Sequence, residues 1–240
     1  VKVETDEGTP QGGVISPLLS NIMLNELDQE LETRGHKFVR YADDFQVYVR
    51  SKRAGIRVMR SLTRFLEDRL KLRVNETKSA VDLAWRRTFL GVGFYRRKGE
   101  VRLRIAPKTI KKFKKRIREI TSRRKSMSIA NRIKELNQYL KGWLGYFHIV
   151  DMKTYLHKFQ SWIRRRLRMC IWKQWKRVRT RIRKLRGLGV SNEEAIKIGN
   201  SRKGYWRLSN TLQLNQALNN QFSEEMGLVN LISTYLNHRN

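Results

Sequence analysis

The chain has 240 residues, with 53 Lys plus Arg against 21 Asp plus Glu, a formal net charge of +32. A surplus this large predicts a polyanionic partner, because neutralising phosphates releases counterions and drives association. An anionic membrane surface is the alternative partner, but no apolar run approaches the ~20 residues that span a bilayer, so no membrane-spanning helix is expected, and the single Cys170 excludes both an intramolecular disulfide and a Cys-based zinc site.

Six Trp, nine Phe and eight Tyr supply a core, so this is no disordered basic tail. A reducing cytoplasm is the compartment such cysteine usage predicts. The chain opens at Val1 without an initiator Met, in the middle of an expected strand, which suggests a piece of a longer protein. Charge shifts give three expected domains. Residues 1–95 mix both signs. Residues 96–186 keep only Glu100, Glu119, Glu135 and Asp151 as acids among dozens of Lys and Arg. Residues 187–240 mix the signs again.

Val1 to Val3 is expected to be a strand end, followed by a turn-rich Glu4 to Gly13. Ser16-Pro17 opens a helix, Pro suiting the first turn, and Leu18, Leu19, Ile22, Met23, Glu26 and Leu27 continue it at helical spacing. Next comes Phe38 to Val49, two aromatic and β-branched runs on either side of Asp43-Asp44, which predicts a β-hairpin with the two carboxylates at its tip. Asp is a common turn residue, so the dipeptide alone leaves open whether it is a turn or a metal site. An amphipathic helix is expected over Ala54 to Leu70, with Val58, Leu62, Phe65, Leu66 and Leu70 on one face. Leu72 and Val74 suggest a strand, Asn75 to Ser79 a turn. Phe89 to Tyr95 is expected as a short apolar strand whose two glycines mark a bulge or close backbone approach.

Gly8-Thr9-Pro10-Gln11-Gly12-Gly13 followed by Tyr41-Ala42-Asp43-Asp44 resembles the palm of a reverse transcriptase, in the wording of the group II intron-encoded class. Leu72 to Ser79 resembles that family's segment with a lysine near the nucleotide phosphates, and Phe89-Leu90-Gly91 its primer grip. The resemblance implies Asp43 and Asp44 as catalytic ligands of two Mg²⁺ ions, Asp43 the principal one. It implies Pro10, Gln11 and Gly12 on the nucleotide and template side, Lys78 near the triphosphate, and dNTPs as substrates. Two magnesium ions clamping the attacking and leaving oxygens suit such phosphoryl transfer, and hard carboxylate oxygens suit magnesium. Lys78 is equally readable as a solvated turn lysine. The family places a further catalytic aspartate and the fingers upstream of the Gln11-Gly12 motif. Neither is present, so the chain alone is expected not to polymerise without that N-terminal segment.

Three amphipathic helices follow. The first starts at Ala106-Pro107 with Ile110, Phe113, Ile117 and Ile120 as its stripe and Lys111 and Lys115 on its basic face. Ser128 caps the second, whose stripe runs from Ile133 to Phe147. The third runs from Leu156 to Leu185 in one piece, its opposite face carrying Arg164, Arg165, Arg166, Arg168, Lys176, Arg179 and Arg183. Such dense like charge repels along a helix and predicts a phosphate backbone against it. Trp172 and Trp175 lie among these charges, at least one of them as core. Tyr139 to Phe147 and Trp162 to Leu167 resemble the family's thumb, or maturase X domain. That likeness implies binding of intron RNA and of an RNA template–DNA primer duplex.

Gly187 and Gly189 end that helix, Ser191 with Glu194 forms a capping-box sequence, and Arg202 and Lys203 sit in a basic, aromatic segment reaching Arg207. Helices are expected over about Asn210 to Gln221 and Glu224 to Leu236. This tail resembles the small DNA-binding domain of bacterial relatives that lack an endonuclease domain, which implies a DNA target and a bacterial cytoplasm. His148, His157 and His238 show no metal-ligand spacing. The expected fold is an α+β palm remainder, an antiparallel sheet with helices on one face, then an all-α thumb bundle and a small helical C-terminal domain. A non-catalytic RNA-binding splicing cofactor and a reverse transcriptase of another bacterial retroelement are the alternatives.

Overall fold

The computed structural model describes residues 14–239, and the chain divides into two compact units, Val1–Phe89 and Leu90–Asn240. The expected strand at Val1 to Val3 and the Gly8 to Gly13 segment, with Pro10, Gln11 and Gly12, lie outside the described residues.

The first unit is built on α1 (Ser16–Thr33), with Pro at its first turn as its ring geometry favours. Gly35, at φ +68°, closes the other end: its amide donates to the Glu32 carbonyl and that of His36 to the Leu31 carbonyl, a left-handed cap that glycine adopts without steric cost. Strands β1 (Lys37–Tyr41) and β2 (Asp44–Tyr48) then pair antiparallel, Lys37 opposite Tyr48 and Tyr41 opposite Asp44. Helix α2 (Lys52–Arg64), capped by the Ser51 hydroxyl, runs on through a wider turn over Phe65–Arg69. The core of this unit is Leu24, Leu27, Leu31, Leu62 and Leu66, with Phe38, Phe45 and Val47 of the hairpin packed against it. Alternation along β1 turns Phe38 and Arg40 inward and leaves Val39 and Tyr41 exposed.

The apolar run at the start of α1 is not core: Leu18, Leu19, Ile22 and Met23 are exposed, and burial begins only at Leu24. Two expected strands fail here. Leu72 and Val74 pack on the core but form no strand, for Lys71 turns through φ +57° and breaks the extended run before it starts. Phe89 to Tyr95 is not one strand either. Phe89 ends the short β3 (Thr88–Phe89), Leu90 and Gly91 both take positive φ, and β4 (Val92–Arg97) begins only after them.

In the second unit β4 pairs antiparallel with β5 (Glu100–Ile105) through a tight Lys98-Gly99 turn. Helix α3 (Pro107–Ile120) starts at Pro107 as expected, and α4 (Ile129–Phe147) is capped by Ser128, whose hydroxyl accepts from the Asn131 amide at 3.2 Å. The expected third helix is two. Helix α5 (Lys153–Gln174) ends at Trp175, and α6 (Val178–Gly187) restarts after the extended Arg177. No Gly or Pro dictates the break. Arg181 reaches back from α6 to the Trp175 carbonyl at 2.8 Å, which satisfies a helix-end acceptor, and the like charges from Lys173 to Lys184 disfavour a continuous helix.

The tail folds as α7 (Asn192–Gly199), α8 (Tyr205–Leu208), α9 (Leu212–Ala217), α10 (Asn220–Glu225) and α11 (Leu231–Asn237). Ser191 caps α7 as expected, accepting from the Glu194 amide. The two expected final helices are three short ones, because Leu218 and Gly227 leave helical geometry between them. One apolar core runs from Ile105 through the stripes of α3, α4 and α5 to Leu208, Leu214, Leu228 and Tyr235, so the tail shares the core of the helices before it. Trp172 is fully buried in it, and Trp175 packs at its edge.

Candidate functional site

The carboxylate hairpin is tight. Tyr41 faces Asp44 in register, so the turn consists of Ala42 and Asp43 alone. Ala42 sits at φ +53°, the left-handed region a two-residue hairpin turn demands, normally filled by Gly, Asn or Asp. Asp43 and Asp44 are both exposed, and among the described residues no cation or donor engages either carboxylate. The neighbouring Arg40 is occupied elsewhere. Its Nε donates to the Asp28 Oδ1 at 2.7 Å, a second guanidinium nitrogen pairs with the Asp28 Oδ2, and the third donates to the Asn21 Oδ1 and the Ala42 carbonyl, each at 3.0 Å. The hydrogen bond to Asp28 raises the Arg40 pKa above its ordinary value, which keeps the guanidinium charged. An open groove of about 530 Å³ runs between α1 and β1, lined by Pro17, Asn21, Asp28, Arg40, Tyr41 and Ala42 among others. The Arg40 clamp escaped sequence reasoning because Asp28 and Asn21 lie on a different element; a lone arginine at an inward strand position was the available signal.

Two free carboxylates on a rigid turn fit a hard divalent cation, which takes oxygen ligands and keeps several waters. Among the described residues no three His, Cys, Asp or Glu side chains gather as a metal cluster. Lys78 is exposed on a turn nucleated by Asn75, whose carbonyl and side-chain oxygen both accept from the Lys78 amide at 3.1 Å.

Leu90 and Gly91 are held by the second unit's own helices. The Gly91 carbonyl accepts from the Ala106 amide at 2.9 Å and from the Thr109 hydroxyl at 3.0 Å, and the Tyr146 hydroxyl donates to the Leu90 carbonyl at 3.3 Å. A Cβ on Gly91 would lie 2.7 Å from the Thr109 Oγ1 and 3.3 Å from Phe147, so the close approach requires glycine. Phe89 is half-buried at the end of β3.

The basic residues fall into two groups. Lys111 and Lys115 on α3, Lys176, Arg179 and Arg183 on and beside α6, and Arg202 and Lys203 before α8 are exposed. The α5 arginines are not an open face, which corrects the expectation for Arg164 and Arg168. Arg164 is only 8% exposed and pairs with Glu224 at 2.9 Å; Arg168 is 9% exposed and its Nε donates to the Ser209 carbonyl at 3.0 Å. Burial, then the Arg165 and Arg164 charges, lowers the Arg168 pKa to about 10. Arg166 donates to the Arg118 and Thr121 carbonyls, each at 3.3 Å. Arg165 stacks its guanidinium 3.9 Å above the Trp206 ring, a cation–π contact. The tail covers this second face of α5, which explains why a helix with an apolar stripe on one side buries arginines beside it. Arg132, missed in the sequence, is 2% exposed and donates to the Ser122 and Lys125 carbonyls at 3.2 and 3.3 Å, closing the turn between α3 and α4.

Residues 2–94 match the sequence model of the reverse transcriptase (RNA-dependent DNA polymerase) family. Residues 110–188 match that of the group II intron maturase-specific domain, so matches to a reverse transcriptase and to a group II intron maturase domain follow one another in this order along the chain. Protein YkfC of Escherichia coli (strain K12) is 38% identical over an alignment covering 31% of this chain and 29% of YkfC. The chain thus spans under a third of the length of that curated relative. Among the described residues no helix is long and apolar enough to cross a membrane.

Proposed function

We propose that the protein is an RNA-directed DNA polymerase that also binds its intron RNA as a splicing maturase. On this reading the first unit is a palm, α3 to α6 a thumb and maturase domain, and α7 to α11 a DNA-binding module. The observation that carries the polymerase reading is the pair Asp43 and Asp44, the one in a two-residue turn and the other at the strand start beside it, both exposed and, among the described residues, without a protein cation.

Asp43 and Asp44 would hold Mg²⁺, with the further aspartate supplied from outside these residues. The bound ions would supply charge neutralisation at the transferring phosphoryl group of a dNTP. Lys78 would add its cation at the triphosphate, and Pro10, Gln11 and Gly12 would border nucleotide and template. Phe89, Leu90 and Gly91 would hold the primer end: the Gly91 carbonyl is already bonded twice, which makes this turn a rigid support. The exposed Lys111, Lys115, Lys176, Arg179, Arg183, Arg202 and Lys203 would meet phosphates of intron RNA, of the template–primer duplex and of a DNA target, contacts that give affinity and salt dependence.

Primer extension by the full-length protein tests the reading. Asp43→Ala should abolish DNA synthesis while intron RNA affinity is unchanged. Full synthesis by that variant would remove the catalytic assignment and leave an RNA-binding splicing factor, whose work needs the basic surface alone.

A further inference from the structure

We propose that Arg40 is a positioning residue for the carboxylate turn: anchored on α1 through Asp28 and Asn21, its guanidinium holds the Ala42 carbonyl and so fixes the left-handed turn that presents Asp43 and Asp44 to divalent cations. The inference rests on the metal reading of those two carboxylates and adds the device that shapes them.

Three observations converge. Ala42 adopts φ +53°, a conformation costing an L-residue with a side chain roughly 1–2 kcal/mol. Such a residue persists only where its surroundings over-determine it. The residues of the turn itself supply no such restraint, whereas Arg40 reaches the Ala42 carbonyl at 3.0 Å. The guanidinium is itself immobilised, since it meets Asp28 through two nitrogens and Asn21 through a third, all on one helix. A planar fork can make these contacts together; an ammonium cannot. Finally, the Arg40 charge is matched by Asp28 on α1, so a cation three residues from Asp43 holds the turn without competing with a metal for its carboxylates.

The test uses Mn²⁺ as the probe in the full-length protein, its binding followed by the electron paramagnetic resonance signal of the free ion, with thermal melting and primer extension alongside. Arg40→Gln and Asp28→Asn should each weaken Mn²⁺ binding about 10-fold or more, the range seen when residues that orient metal ligands are removed. Arg40→Lys should fall between them and wild type, because it keeps the charge and loses the fork. Ala42→Gly placed in the Arg40→Gln background should recover most of the lost affinity, since glycine takes the turn without restraint. Wild-type Mn²⁺ affinity in Arg40→Gln, where Asp43→Ala abolishes binding, would overturn the positioning role and leave the metal site standing. A loss that Ala42→Gly fails to recover would also overturn it, reducing Arg40 to a general prop of the unit. Wild-type affinity in Asp43→Ala would instead overturn the underlying metal reading.

Discussion

Arg168 and the pair Arg179 and Arg183 should behave as opposites, although all three are arginines of one basic stretch. Truncating Arg168 to Ala removes its bond to the Ser209 carbonyl, a charged hydrogen bond contributing about 1.5–3 kcal/mol. It also strips the two buried methylenes beyond Cβ from the pocket that Arg168 lines with Ile129, Ile133 and Leu167, about 0.8 kcal/mol each. Against this stands relief from burying a cation: the fall of its pKa to about 10 corresponds to roughly 3 kcal/mol. The balance is a loss of about 1 kcal/mol in urea unfolding, with the salt slope of RNA binding unchanged. Arg179→Gln with Arg183→Gln should do the reverse. Stability should stay within about 0.5 kcal/mol, as for other surface changes, while the slope of log affinity on log salt falls by about 1.5, near 0.7–0.9 for each phosphate left without its arginine. A drop of about one in the slope for Arg168→Ala, at wild-type stability, would refute the assignment of that guanidinium to the fold.

Three further outcomes can be checked by unfolding experiments. Gly91→Ala should destabilise by about 2–4 kcal/mol, because φ +82° disfavours any side chain and the new methyl would overlap the Thr109 hydroxyl and Phe147; a neutral result would mean the turn is free to move. Ser128→Ala should cost about 1 kcal/mol through loss of the α4 cap, measured by thermal melting. Asp151 joins three elements, accepting from the Tyr95 hydroxyl, Arg102 and Arg239. Burial opposes its charged form, but bonds from Arg239 and Tyr95 and the nearby Arg102 charge outweigh burial and hold its pKa below 3.8. Its contribution is therefore complete above that value and disappears as pH falls through the lower folded value. Acid titration of stability should show a component below about pH 4 that Asp151→Asn abolishes.

What was legible in the sequence was mostly local. Pro17 and Pro107 at helix starts, the hydroxyl caps at Ser128 and Ser191, and the hairpin around Asp43-Asp44 all depend on residues within a few positions of each other. The stripes of α3 and α4 were legible because 3.6-residue spacing reports the buried face directly. The break at Trp175 was not, since it depends on a guanidinium returning from the next helix. The burial of Arg164 and Arg168 was hidden for a related reason. Their acceptors, Glu224 and Ser209, lie 60 and 41 residues away, and charge composition says nothing of which arginines such partners absorb. Arg40 shows the same limit at the site itself: the carboxylates were readable, the clamp that ties them to α1 was not.

The Tyr235 hydroxyl on α11 donates to the Val150 carbonyl, 85 residues earlier. During synthesis at about 5–20 residues per second, that partner follows Val150 by roughly 4–17 s. Until then the junction of α4 and α5 waits with an unfilled acceptor and an open apolar seam, while the lysines and arginines of α3 to α6 have already emerged. A nascent chain in that interval offers phosphates a cationic surface before its fold is closed, so early capture by RNA would compete with completion of the second unit. Slowing translation after Asn200 should lengthen that window and expose the competition as a lower yield of folded protein.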